Sequence, residues 1–199
     1  KRLVPADDQY LFAVLTYGGS GGSALRMVNA ALQPRFHRNL DAGFMVKMPG
    51  NFPPISPPPQ GEKKQAILRS SDHEIERICR IVQECRKQPV GLFPVSSLIR
   101  PLIYGSFARN VHSLDEKFTI SDACTSCGVC VSVCPVGNIE IREGRPVYLH
   151  KCELCCGCLN YCPVQAIDLK MMFGTRGRGR YHHPAVSVPD MKAQQDQGS

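Results

Sequence analysis

Cys124-Thr-Ser-Cys-Gly-Val-Cys-Val-Ser-Val-Cys-Pro135 and Cys152-Glu-Leu-Cys-Cys-Gly-Cys-Leu-Asn-Tyr-Cys-Pro163 carry one spacing twice, 28 residues apart. In each copy three cysteines stand on a two-residue step, a fourth follows a three-residue gap, and proline comes next. The short steps let one tight loop aim three sulfurs at a common centre. The longer gap turns the fourth sulfur away, and the proline removes an N–H and restricts the cysteine before it. The likeness runs past the cysteines: Val136 matches Val164, Ile139 matches Ile167, and Ile141 matches Leu169. Such an internal repeat predicts a pseudo-twofold module. Two other uses of cysteine compete. Structural zinc sites usually pair two separated Cys-x-x-Cys knuckles, and a disulfide framework belongs to secreted chains.

The spacing resembles that of the bacterial two-cluster ferredoxins. The resemblance implies two [4Fe–4S] clusters with crossed ligands. Cys124, Cys127, Cys130 and Cys162 would hold the first; Cys152, Cys155, Cys158 and Cys134 would hold the second. It also implies short strands at Phe118-Thr-Ile-Ser-Asp122 and Arg145-Pro-Val-Tyr-Leu149, with Phe118 and Tyr148 covering a cluster. Cys156 aligns with Gly128, which is no ligand position, and is read as a bystander.

The formal charge of +7 divides unevenly along the chain. Residues 1–117 hold 16 basic and 10 acidic side chains, residues 118–170 hold 4 and 5, and residues 171–199 hold 4 and 2. Two oxidised clusters with their thiolates, about −2 each, would bring the total to roughly +3. An acidic cluster module beside basic flanks can steer docking. No apolar run reaches membrane-spanning length, and no leader of signal-peptide type is read from Lys1 onward. The expectation is a cytoplasmic chain in a reducing setting.

Ahead of the cysteines, Tyr10–Leu15 is an unbroken apolar run ending at Thr16-Tyr-Gly-Gly-Ser-Gly-Gly22, which suits a buried parallel strand. Ser23 can cap a helix bearing Leu25, Val28, Ala31 and Leu32 at helical spacing. Phe44–Met48 reads as a second strand, followed by a proline-rich loop to Pro59. Ser71 and Glu74 form a capping box that starts a helix at Asp72. Its apolar face would carry Ile75, Ile78, Cys79, Val82 and Cys85, its exposed face a Glu76–Arg80 pair, and Pro89 would stop it. Cys79 and Cys85 are read as small buried hydrophobes.

Together with the cysteine module these segments resemble the flavodoxin–ferredoxin fusion proteins of anaerobic bacteria and archaea. The resemblance rests on Phe12-Ala-Val-Leu-Thr-Tyr-Gly-Gly-Ser20, Gly43-Phe-Met-Val-Lys-Met-Pro-Gly-Asn-Phe52, residues 118–170 and Arg180-Tyr-His-His-Pro184. It implies α/β plus α+β architecture: a partial flavodoxin-like α/β domain at 1–105, a linker at 106–117, a two-[4Fe–4S] ferredoxin domain at 118–170 and a basic, partly disordered tail at 171–199. It also implies FMN approached by Thr16, Tyr17, Gly18, Gly19 and Ser20, with Asn51 and Phe52 on a neighbouring loop; the plain alternative makes these turn residues. Only two of the five strands of a flavodoxin-like sheet are legible, and its phosphate-gripping loop is not. Three readings stay open: a piece of a longer protein, a sheet completed by another subunit or segment, or a module that has lost FMN.

The Gly-Arg alternation at 174–180 is read as a docking strap, since three arginines add little affinity for nucleic acid at physiological salt. His182 and His183 are assigned a packing or capping role. No catalytic constellation is legible. The expected function is electron transfer between clusters, with FMN joining the relay and a redox protein as partner. The competing classes are an electron-wiring subunit of a larger redox complex, without flavin of its own, and a zinc-binding interaction module.

Overall fold

A computed structural model describes residues 5–6, 8–88, 90, 105 and 107–197. The chain divides into two compact units, Lys1–Pro49 with Pro59–Pro101 and Gly50–Pro58 with Leu102–Ser199. Both helices and strands are present, and no helix among the described residues is long and apolar enough to cross a membrane.

In the first unit, β1 (Phe12–Tyr17), α1 (Ala24–Phe36), β2 (Ala42–Lys47) and α2 (Gly61–Gln83) follow one another. The strands pair in parallel from Phe12↔Ala42 to Tyr17↔Lys47. Parallel neighbours need a crossover, and the α1 segment supplies it. β1 therefore runs on past Leu15, and β2 begins before Phe44. Ala42, Phe44 and Val46 alternate onto a core shared with Ile78 and Ile81 of α2. β1 is covered less than a buried parallel strand should be: Phe12 and Val14 are each 46% exposed. Helix α1 does begin after Ser23 and buries Leu25, but Val28 is exposed.

Helix α2 departs from its sequence reading. It starts at Gly61 rather than Asp72, so Ser71 lies mid-helix and caps nothing. Its buried hydroxyl donates toward Lys47 O at 2.6 Å and Ile67 O at 2.7 Å, the local back-bonding open to serine within a helix. Ser71, Ile78 and Ile81, at i, i+7 and i+10, make the buried stripe. Cys79 sits about 100° round from Ile78 and is exposed. Cys85 lies past the helix end at φ 49° and is exposed too. Glu76 does not pair with Arg80. Arg77 instead grips Glu74 through two hydrogen bonds of 2.8 and 2.6 Å, which hold the Glu74 carboxyl below its usual range. Pro89, the expected stop, lies outside the described residues, as do residues 91–104 of the stretch that follows it.

The second unit contains a 3₁₀ helix (Val111–Lys117), β3 (Phe118–Ile120), α3 (Val129–Ser132), β4 (Ile139–Arg142), β5 (Arg145–Tyr148), α4 (Gly157–Asn160), β6 (Ile167–Leu169) and α5 (Val188–Gln197). β3 pairs antiparallel with β6, Phe118 opposite Leu169; β5 pairs antiparallel with β4, Pro146 opposite Ile141. Both lead-in strands form. The 28-residue shift carries β3 onto β5 and α3 onto α4, so the repeat extends to the fold. The segment read as a linker contributes buried Val111 and Asp115 to this unit. The tail read as partly disordered ends in α5, from which Gln195 Nε2 donates to Val131 O at 3.0 Å and to Cys134 O.

Unequal cover on the two strands predicts unequal mutational cost. Phe44→Ala should destabilise the first unit by about 3–5 kcal/mol and Phe12→Ala by under about 1 kcal/mol. Hydrogen exchange of the β1 and β2 amides measures both without contribution from the second unit.

Candidate metal centre

Two small cavities open in the second unit. One is lined by Cys124, Cys127 and Cys130 together with Cys162. The other is lined by Cys152, Cys155 and Cys158 together with Cys134, and Cys156 also reaches it. The structure thus brings three cysteines of each copy together with the fourth of the other. Among the described residues, no three His, Cys, Asp or Glu side chains converge as a single ion requires.

The loops take this shape because the backbone enters the left-handed region at matched positions. Ser126 and Leu154 (φ 55° and 53°), Gly128 and Cys156 (75° and 59°), Gly137 and Gln165 (58° and 49°), and Gly144 and Met172 (74° and 53°) are pairs one repeat apart. Glycine serves three of these positions in the first copy, where it carries little penalty. The second copy uses Leu154, Cys156, Gln165 and Met172, each at roughly 1–2 kcal/mol. Packing offsets that strain: Leu154 and Cys156 are buried in the core of the unit.

Backbone N–H groups point at the sulfurs. Asn138 N lies 3.2 Å from Cys134 Sγ and its repeat mate Ala166 N lies 3.3 Å from Cys162 Sγ. Leu154 N donates to Cys152 Sγ at 3.2 Å. Such donors favour thiolate, whereas burial opposes it. Burial pushes the Cys130 and Cys152 thiols up to about 11, the Cys156 thiol up to about 12, and Cys158 well above its ordinary value. A metal bound to these sulfurs has to offset that desolvation. Phe118 and Tyr148 stack at 5.1 Å beside the second cavity, and burial raises the Tyr148 phenol.

Sequence reading missed the polar frame around the second cavity. Asp115 is fully buried and accepts from Asn138 Nδ2 (3.0 Å), His150 N (3.0 Å) and the His150 ring (2.8 Å). Asn138 Oδ1 in turn accepts from Leu149 N at 3.2 Å and Lys151 N at 2.5 Å. These bonds anchor the strand leading to Cys152. The available signal was the break in the repeat, Asn138 against Ala166.

The positions assigned to flavin fall in both units. Thr16 and Tyr17 end β1, Gly18 and Gly19 bend, and Ser20 Oγ accepts from Gly22 N at 3.2 Å in a turn. Tyr17 alone of these lines a cavity of about 610 Å³, with Lys47, Arg77 and Arg80. Asn51 and Phe52 belong to the second unit. Asn51 O accepts from Asn160 Nδ2 at 2.8 Å, and Phe52 packs on the core that holds the cysteines. The Gly-Arg run is engaged with its own unit: Arg178 Nη1 donates to Pro53 O at 2.9 Å, and buried Arg180 pairs with Asp168 at 2.9 Å. His182 stacks on Tyr161 at 4.2 Å, and His183 Nδ1 accepts from Ala185 N at 3.2 Å.

Residues 118–140 match the family model described as the 4Fe-4S binding domain, a stretch that contains the four cysteines of the first copy. No curated protein and no solved structure matches the chain. The match assigns [4Fe–4S] binding to the second unit.

Cys156 and Asn138 should respond oppositely to substitution. Cys156→Gly restores the residue of the first copy, and relief of strain balances lost burial, so iron content should hold and stability should move by under about 1 kcal/mol. Asn138→Ala strands the Lys151 N–H and removes one of the three donors to buried Asp115, at roughly 1–3 kcal/mol. Urea unfolding followed through the visible iron–sulfur absorbance reads both.

Proposed function

We propose that this chain is an electron-transfer protein carrying two low-potential [4Fe–4S] clusters, one in each cavity. The observation that carries the reading is the coincidence of two repeats. The cysteine spacing and the left-handed backbone positions both recur at 28 residues, while the family match covers one copy. Cys124, Cys127, Cys130 and Cys162 would hold the first cluster; Cys152, Cys155, Cys158 and Cys134 would hold the second. When bound, each cluster supplies one-electron uptake and release at little structural cost. The protein's own work is to position and tune. The αL turns aim the thiolates, backbone N–H groups stabilise their charge, and buried Ile139, Ile167 and Leu159 keep water from the sulfurs.

Crossed ligation has a consequence that iron counting alone can read. Wild-type protein should carry about eight iron atoms per chain. The double variant Cys134→Ala/Cys155→Ala should keep about half of them, because both residues serve one cluster, whereas Cys134→Ala/Cys127→Ala should lose nearly all. The reverse pattern would sink the crossed assignment, and about four iron atoms in wild type would sink the two-cluster reading.

Two observations favour a first unit that docks a redox partner over one that adds a flavin relay. Phe12 and Val14 of β1 are half-exposed, a face that a completing strand or subunit would cover. Asn51 and Phe52, needed for the flavin loop, are engaged within the cluster unit. The unit would then be a remnant of a flavodoxin-like fold, in a cytoplasmic, reducing setting. Anaerobically purified protein, denatured and assayed by flavin fluorescence, should release far less than one FMN per chain; near-stoichiometric release would restore the relay.

A further inference from the structure

The two cavities are built by one repeat, yet among the described residues only the second sets a side-chain hydroxyl against a cysteine sulfur. Tyr148 OH lies 3.8 Å from Cys158 Sγ in the second cavity. The residue one repeat earlier is Ile120, which has no hydroxyl, and Cys130 stands where Cys158 does. The other first-cavity hydroxyl with a described bond, Ser126 Oγ, turns to Gly144 O. Among the described residues no hydroxyl donates to a sulfur of the first cavity.

Resting on the two-cluster reading, we infer that Tyr148 is a positioning residue whose hydroxyl raises the reduction potential of the second cluster through Cys158. A ligated thiolate has no proton, so the phenol must be the donor of this bond. Reduction adds one electron to the cluster and increases negative charge on its sulfurs, so a donor there binds the reduced form more strongly. The phenol is held in place by its ring, stacked on Phe118 at an interplanar angle of 20°. Asp115, buried near Cys152, opposes added negative charge, but its charge is shared among three donors and is the same whether or not the hydroxyl is present.

The test is an anaerobic potentiometric titration of full-length wild type and Tyr148→Phe, followed by electron paramagnetic resonance, with iron counted in each sample. Phenylalanine keeps the stack and removes only the hydroxyl. One of the two midpoints should fall, favouring the oxidised form of that cluster by roughly threefold to tenfold, at most about 59 mV for one electron. The other should stay. Replacing Tyr148 by 3-fluorotyrosine, a stronger donor, should move the same midpoint upward, and it keeps the test open if the Phe variant loads clusters poorly. Midpoints that do not move, or that move together, overturn the inference while about eight iron atoms leave the two-cluster reading intact. Wild type with about four would instead overturn that reading.

Discussion

Three sulfurs on one short loop can face a common cavity only if the backbone reverses its hand between them. In this chain that reversal occurs at matched residues of both copies, Ser126 with Leu154 and Gly128 with Cys156. The hydrogen bonds from Asn138 N and Ala166 N to the fourth cysteines follow from the same geometry, because the turn after each Cys-Pro swings an N–H back onto sulfur. Everything else in the second unit serves to keep these turns in place. Where glycine makes the conformation inexpensive, little support is needed. Where Leu154 and Cys156 adopt it, they are buried.

That support comes from distant parts of the chain. The segment Gly50–Pro58 leaves the first unit and packs in the second, lending Phe52 to the core and the carbonyls of Asn51 and Pro53 as acceptors. From the other end, Arg180 threads a buried guanidinium to Asp168 and to Ile167 O, while α5 reaches the α3 turn through Gln195. A ferredoxin-type repeat of about fifty residues has little core of its own. Here both flanks enlarge it, and the buried Asp115–Asn138 pair fixes one lead-in strand more firmly than its partner.

The first unit obeys a different rule. A helix covers only the strands it lies over. Phe12 and Val14 stand opposite Ala42 and Phe44 on the same sheet face; α2 packs over β2 and leaves the β1 side of that face half-exposed. The sequence reading of β1 as buried went astray because an unbroken apolar run reports what a strand can bury and not what is present to bury it. The same gap explains Cys79 and Cys85. Apolar periodicity places residues on a helix face only to within a residue or so, and α2 turns Ile78 and Ile81 inward. Ser71-x-x-Glu74 has the letters of a capping box, yet a core-facing serine that finds Ile67 O and Lys47 O can sit mid-helix.

What the sequence alone determined was the chemistry available. Eight cysteines at repeated spacing, each set closed by proline, define the 28-residue repeat and the strands leading into it. These properties are local, set by covalent spacing and short-range backbone sterics. What only the tertiary structure decided was which distant groups complete the surroundings: Phe52 and Asn51 beside the cysteine core, Arg180 against Asp168, Asp115 against Asn138 and His150, and the Tyr148 hydroxyl against Cys158. Their partners are up to 125 residues apart, as Arg178 and Pro53 are, and no spacing rule links residues whose contact depends on how two folded surfaces meet.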